Sequence, residues 1–121
     1  MNRHRLARLL AVGRVVVGST LVVVPGMATG LVGPPGAEPA VKVLTRAAGI
    51  RDLLLGWRTV QALDADRPVR ALLHDGAMAD AVDLGAVLVA WGHLPHRARL
   101  MVLTAATGAV AMGWRLAQLL D

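Results

Sequence analysis

The chain has no cysteine, phenylalanine or tyrosine, and only one lysine and one glutamate among its 121 residues. The missing cysteine excludes disulfides, thiolate metal sites and thiol redox chemistry. Neutral polar residues are almost as scarce: Asn2 is the only asparagine, and Gln61 and Gln118 are the only glutamines. Such a sequence has little with which to clothe a soluble surface. Hydrophobic residues make up 55% and fall in long runs. The length suits one domain, residues 1–121.

Charge is carried mainly by arginine, 12 of the 13 basic residues, for a formal net charge of +5. A high isoelectric point can signal nucleic acid, but binders of that kind cluster basic residues on a solvated face. Here the arginines are scattered through apolar runs and at their ends, so nucleic acid is not expected as a partner.

Four runs approach the roughly 20 mostly apolar residues that a bilayer-crossing helix needs. They are Leu6–Pro25, Val41–Leu63, Val69–Trp91 and Leu100–Leu120. The first and last are clear, whereas the middle two carry several charges each. A soluble bundle requires a polar face on every helix. Between Leu100 and Trp114 only Thr104 and Thr107 are polar, and no charge falls between Arg14 and Pro25. Two helices apolar all round cannot be the outside of so small a soluble protein. Short links, "DADRP" at 64–68 and "GHLPHRAR" at 92–99, imply neighbouring antiparallel helices. The expectation is therefore an all-α fold of four transmembrane helices in an up-down antiparallel bundle. Pro68 is expected at the first position of the third helix. The first run, with Arg3, Arg5 and Arg8 ahead of it, is read as an uncleaved span and not a signal peptide.

Lysine and arginine near span ends orient such a bundle. Arg3, Arg5, Arg8, Arg58, Arg67, Arg70 and Arg115 fall on one side, and Lys42, Arg46, Arg97 and Arg99 on the other. Both termini are thus expected in the cytoplasm, with the protein in the bacterial cytoplasmic (inner) membrane. Trp57, Trp91 and Trp114 lie near span ends, where indole suits the interface. His93 and His96 read as solvated loop residues.

Charges within the runs are the informative feature. Arg14, Arg51, Asp52 and Asp80 lie at roughly one depth, with Asp83 one helical turn beyond Asp80. A charge at mid-bilayer costs about 2.5–3.5 kcal/mol on insertion scales, so partners of opposite sign are needed. Arg14 and Arg51 are expected to pair with Asp52, Asp80 and Asp83, forming a polar-core network. Arg58 and Asp75, nearer one membrane face, can reach headgroups or each other. Each helix offers a small or polar seam for close approach. The seams run through Ala7, Arg14, Gly18, Leu21 and Pro25 on the first helix and Thr45, Gly49, Asp52, Gly56 and Thr59 on the second. The third offers Gly76, Asp80, Asp83 and Val87, and the fourth Thr104, Gly108, Ala111 and Arg115. "GRVVVG" at 13–18 and "GIRDLLLG" at 49–56 share an arginine followed by glycine, a short internal similarity.

His74, Asp75, Asp80 and Asp83 include donor types for a divalent ion. His74 and Asp80 fall on different helical faces, however, and Arg51 competes for the carboxylates, so no metal is expected. "HDG" at 74–76 lacks the further His and Asp of the HD phosphohydrolases. "DGAMAD" at 75–80 lacks the Arg and later Asp of the membrane CDP-alcohol phosphotransferases. No catalytic residue and no cofactor are assigned.

The layout as a whole resembles the small four-helix bacterial membrane proteins of the DoxX-like group, especially its uncharacterised actinobacterial-type branch. The carrying residues are "GRVVVG" in the first helix, "GIRD" with "LLLG" in the second and the acidic "ADAVD" in the third. Some relatives in that wider group associate with redox enzymes or with thiol and sulfur metabolism, a role that a cysteine-free chain does not fit. The resemblance implies a polytopic membrane protein.

On these grounds the chain is expected to be an accessory or interaction subunit in the lipid bilayer, without chemistry of its own. Its partner would be another membrane protein or further copies of itself. One alternative is a small carrier or proton-coupled channel using Asp80 or Asp83. Another is an intramembrane enzyme acting on a lipid or quinone through those carboxylates.

Overall fold

A computed structural model describes residues 2–27, 29–30 and 33–120. Among them it contains four long helices and no strand. These are α1 (Arg3–Val23), α2 (Pro39–Asp64), α3 (Arg70–Val89) and α4 (His96–Leu119). They have 21, 26, 20 and 24 residues. At about 1.5 Å per residue each is roughly 30 Å long or more. Helix α1 begins at an Asn2 cap whose side chain accepts the His4 backbone N–H at 2.9 Å. It ends two residues before Pro25. Helix α2 opens on Pro39 at its first position, where the missing N–H is not needed. Pro68 does not open α3 as expected. It precedes Val69, and the helix starts at Arg70.

The stretch between α1 and α2 contains short 3₁₀ turns at Pro25–Met27 and Pro34–Ala37. Residues 28, 31 and 32 of that stretch lie outside the described set. The α2/α3 connection is tighter. Arg67 N–H donates to the Ala62 carbonyl at 2.8 Å and Asp66 N–H to the Leu63 carbonyl at 3.3 Å. This pair of bonds closes α2 with a Schellman cap. The cap needs a left-handed residue, and Asp66 supplies it with φ of +50°.

The four helices form two hairpins. In the first, α1 and α2 pack through small residues: Ala7, Ala11 and Gly18 against Gly49, Gly56, Thr59 and Ala62, all buried. The glycines are required by distance. A Cβ at Gly18 would stand 2.5 Å from the Gly49 carbonyl oxygen, and one at Gly56 would stand 2.5 Å from the Ala11 carbonyl oxygen. Backbones thus touch directly, the close approach that small seams permit. In the second hairpin, α3 and α4 meet through ordinary side-chain contact. A Cβ at Gly113 would lie 3.4 Å from that of Ala77.

The hairpins join firmly at one end. There Ala7, Ala62, Val69, Leu73, Leu116, Ala117 and Leu120 form the buried apolar core. The up-down path brings the start of α1 and α3 and the finish of α2 and α4 to this end. An exposed Arg8–Asp64 ion pair and an Arg3 hydrogen bond to the Leu119 carbonyl at 3.3 Å rim it.

The expected seams on α1, α2 and α3 turn inward: Ala7, Gly18, Pro25, Gly49, Gly56, Thr59, Gly76 and Asp80 are all buried. That on α4 does not. Thr104, Gly108, Ala111 and Arg115 are exposed, while Ala98, Ala106, Gly113, Leu116 and Ala117 face the bundle. On a helix apolar almost all round, polarity does not single out a face. Fit to Leu73 and Ala77 of α3 decides it.

Two helices, α1 and α4, are long and apolar enough to cross a membrane, with mean hydropathies of 1.8 and 1.4 over their most apolar stretches. Only 17% and 22% of those stretches are buried, the opposite of a soluble protein's core helix. Val12, Val16, Leu100 and Met112 are among the apolar side chains left uncovered. Helices α2 and α3 fall short of the same measure, because charges such as Arg51, Asp52, Asp80 and Asp83 interrupt them.

Candidate polar-core site

Arg14, Arg51, Asp52, Asp80 and Asp83 come together in one connected network at the level where the hairpins meet above the core. Hairpin one supplies both arginines and Asp52, and α3 supplies the other two carboxylates. Arg14 grips Asp80 with both terminal nitrogens. Its Nη1 donates to Oδ1 at 3.2 Å and its Nη2 to Oδ2. Arg51 grips Asp83 in the same way, Nη1 to Oδ1 at 3.1 Å and Nη2 to Oδ2 at 2.7 Å. Two-pronged guanidinium–carboxylate pairs are the strongest geometry available to these groups.

Asp52 is held differently. Its Oδ1 accepts one long bond from Arg14 Nη1 at 3.3 Å and another from Arg51 Nη2 at 3.4 Å. Its Oδ2 accepts none among the described residues. Two guanidinium groups thus face three carboxylates, and Asp52 is the one without a fork of its own. Burial is graded across the network. The side chains of Arg14, Asp80 and Asp52 are 11%, 12% and 16% exposed, against 33% and 44% for Arg51 and Asp83.

Local sequence explains the positions. Arg14 lies between Ala11 and Gly18 on the buried face of α1, and Asp52 between Gly49 and Gly56 on that of α2, so backbone contact delivers both to the same level. On α3, Gly76 stands one turn before Asp80. A Cβ there would lie 2.9 Å from Arg14 Nη2 and 3.2 Å from its Cζ. The guanidinium therefore rests against bare backbone, and "GAMAD" at 76–80 reads as a seat followed by an acceptor.

Above the core, α1 and α4 face one another across an open cavity of about 530 Å³. Leu9, Gly13 and Val17 form one wall, and Met101, Val102, Ala105 and Ala109 the other. Arg14, Asp52, Asp80 and Asp83 lie at its floor. Apolar walls with a few convergent polar groups are the usual make-up of a small-molecule site.

The other residues weighed from sequence lie elsewhere. No ion pair joins Arg58 to Asp75. His74 packs its ring 4.5 Å from that of Trp114, and Arg99 lies over Trp91 at 5.2 Å. No three metal-ligating side chains converge among the described residues. Sequence reasoning named the five network members but missed the seat at Gly76, the cavity and the singular position of Asp52. The last was signalled by the count of two arginines against three aspartates. Comparison with known proteins gives no matching family model, no matching curated protein and no matching solved structure.

Proposed function

We propose that the chain is an integral membrane protein whose four helices cross the bilayer and whose groove between α1 and α4 binds a small amphiphilic molecule. The role is binding or carriage, and no turnover is assigned to it. The observation that carries this reading is the cavity itself: apolar walls, a charged floor, and a mouth between the two helices that are long and apolar enough to cross a membrane. A ligand dissolved in the hydrocarbon could enter from the side without crossing water. Helix lengths match a hydrocarbon core of about 30 Å. Trp57 and Trp114 toward one end and Trp91 at the other fit the two interfaces. In this reading α2 and α3 are tolerated in lipid because Arg51, Asp52, Asp80 and Asp83, their charges nearest mid-membrane, take part in ion pairs within the bundle. In this reading the termini lie in the cytoplasm, on the arginine-rich side, and the likeness to the DoxX-like group is supported by the sequence stretches "GRVVVG", "GIRD" and "ADAVD" alone.

Two measurements test the proposal. The protein should stay in the membrane pellet through alkaline carbonate extraction. After gentle detergent purification, native mass spectrometry should find a small molecule retained in about one-to-one ratio. Release by carbonate ends the membrane reading, and an empty protein that binds no amphiphile ends the groove reading.

A second reading, an accessory subunit, draws on the outward stripe of Thr104, Gly108 and Ala111. In a bilayer such a stripe suits another helix. It predicts a stoichiometric protein partner in the same purification.

A further inference from the structure

We infer that the groove takes a hydrophobic monocation, an organic ammonium or phosphonium group carrying apolar substituents, and that Asp52 is the residue that meets its charge. The inference rests on the groove reading above and adds the chemical class of the ligand.

The network leaves one carboxylate over. Arg14 spends its fork on Asp80, and Arg51 spends its fork on Asp83. Asp52 shares one oxygen between both arginines at 3.3 and 3.4 Å, and its second oxygen has no partner among the described residues. With every group ionised the site carries one surplus negative charge, and Asp52 is the carboxylate held by no fork of its own. A carboxylate in so dry a setting is stabilised by a positive group brought against it.

An anionic head is disfavoured on the same grounds. It would meet a site already negative, where the terminal nitrogens of both arginines are held by Asp80 and Asp83. An inorganic cation is disfavoured because the walls offer carbon and no further oxygen ligands. A neutral amphiphile fits the walls but leaves the surplus charge uncompensated. An organic cation satisfies both features at once. The charge sits at Asp52, and its substituents lie against Leu9, Val17, Met101 and Val102. The cavity of about 530 Å³ has room for a compact ion of this kind.

The test uses two ions of nearly the same size and shape but opposite sign, tetraphenylphosphonium and tetraphenylborate. Binding of each to the full chain in maltoside micelles is measured by equilibrium dialysis, with protein-free micelles subtracted. The phosphonium should bind saturably, one per chain, and at least about tenfold tighter than the borate. Asp52→Asn should remove most of that preference. Ala105→Phe, at an exposed wall position that leaves the network untouched, should abolish phosphonium binding. Equal binding of the two ions by the wild-type chain, or preference for the borate, overturns the cation assignment. If Ala105→Phe abolishes both in that case, the groove still stands. If neither ion binds saturably, the cation assignment fails, while the groove reading is decided by the retained amphiphile in the native mass spectrum. Should Asp52→Asn not fold, the wild-type ratio and Ala105→Phe still decide the matter.

Discussion

Gly18 of α1 and Gly49 of α2 meet backbone to backbone. A Cβ on Gly18 would lie 2.5 Å from the Gly49 carbonyl oxygen, and one on Gly49 would lie 2.7 Å from the Gly18 carbonyl oxygen. Neither neighbour can yield, because each is main chain held in its own helical ladder. The contact repeats one heptad away, where Gly56 meets Ala11. This spacing places Arg14 and Asp52 between the two contacts and sets them facing each other.

Substitution at these glycines should therefore force the helices apart. Gly18→Ala and Gly56→Ala are each expected to destabilise the protein by about 1–3 kcal/mol, the usual cost of overpacking. Gly85→Ala and Gly108→Ala have open space around the new Cβ. They should be neutral, or stabilising by up to about 1 kcal/mol through helix propensity. Thermal unfolding in detergent, followed by circular dichroism, compares the four directly. Equal effects at all four positions would contradict direct backbone contact.

The network predicts an order among its arginines. Arg14→Ala strands Asp80 and half-frees Asp52, both well buried, and should cost about 3–5 kcal/mol. Arg51→Ala strands Asp83, whose side chain is 44% exposed, and loosens Asp52 by its longer bond, so it should cost less than Arg14→Ala. Replacing both partners, Arg14→Leu with Asp80→Leu, should recover much of the first loss, because no charge is left uncompensated between them. A double-mutant cycle on melting temperature or detergent resistance reads this out. A double variant no better than Arg14→Leu alone would show that Asp80 owes its position to something else.

Much of the helical architecture is legible in the chain, because apolar runs of this length broken by Pro68 and Pro95 admit few other folds. The meeting of Arg14, Arg51, Asp52, Asp80 and Asp83 is legible too, since buried charges of opposite sign at one depth attract. What polarity cannot encode is rotation of a uniformly apolar helix. The stripe of Thr104, Gly108 and Ala111 faces outward because Gly113 and Ala117 fit α3 better. Nor does a linear pattern show which carboxylate receives a fork. That depends on reach across the bundle, from α1 and α2 to α3, and it leaves Asp52 as the odd member. The cavity arises from four helices held together at one end and separated above it, a relation between elements that no single run contains.

Gly76 offers a sharper test of the Arg14 seat. Gly76→Ala would place a methyl 2.9 Å from Arg14 Nη2. In an ordinary helix the same change gains up to about 1 kcal/mol. Here the guanidinium, pinned by Asp80, must move, so the change should be destabilising by about 1 kcal/mol. In an Arg14→Leu, Asp80→Leu background the obstacle is gone and the substitution should turn neutral or favourable. The non-additivity of the cycle is the quantity to measure. An additive result would mean that the guanidinium does not lie against Gly76.

Asp66 holds a left-handed backbone at the α2/α3 turn. A side chain at φ of +50° carries a steric cost that aspartate bears better than most residues but glycine avoids. The Schellman bonds around it, Arg67 N–H to Ala62 and Asp66 N–H to Leu63, involve only main chain and survive its replacement. Asp66→Gly should therefore stabilise the α2/α3 connection, by about 0.5–1 kcal/mol, despite the greater entropy that glycine gives the unfolded chain. Asp66→Val should do the reverse and cost more than that, because a β-branched residue tolerates this backbone poorly. Both are read as shifts in thermal midpoint. The groove lies higher in the bundle and is lined by none of these residues, so ligand binding should be unchanged in either variant. A loss of binding without a loss of stability would show that the α2/α3 link and the groove are coupled, and that the two hairpins move against one another about this turn.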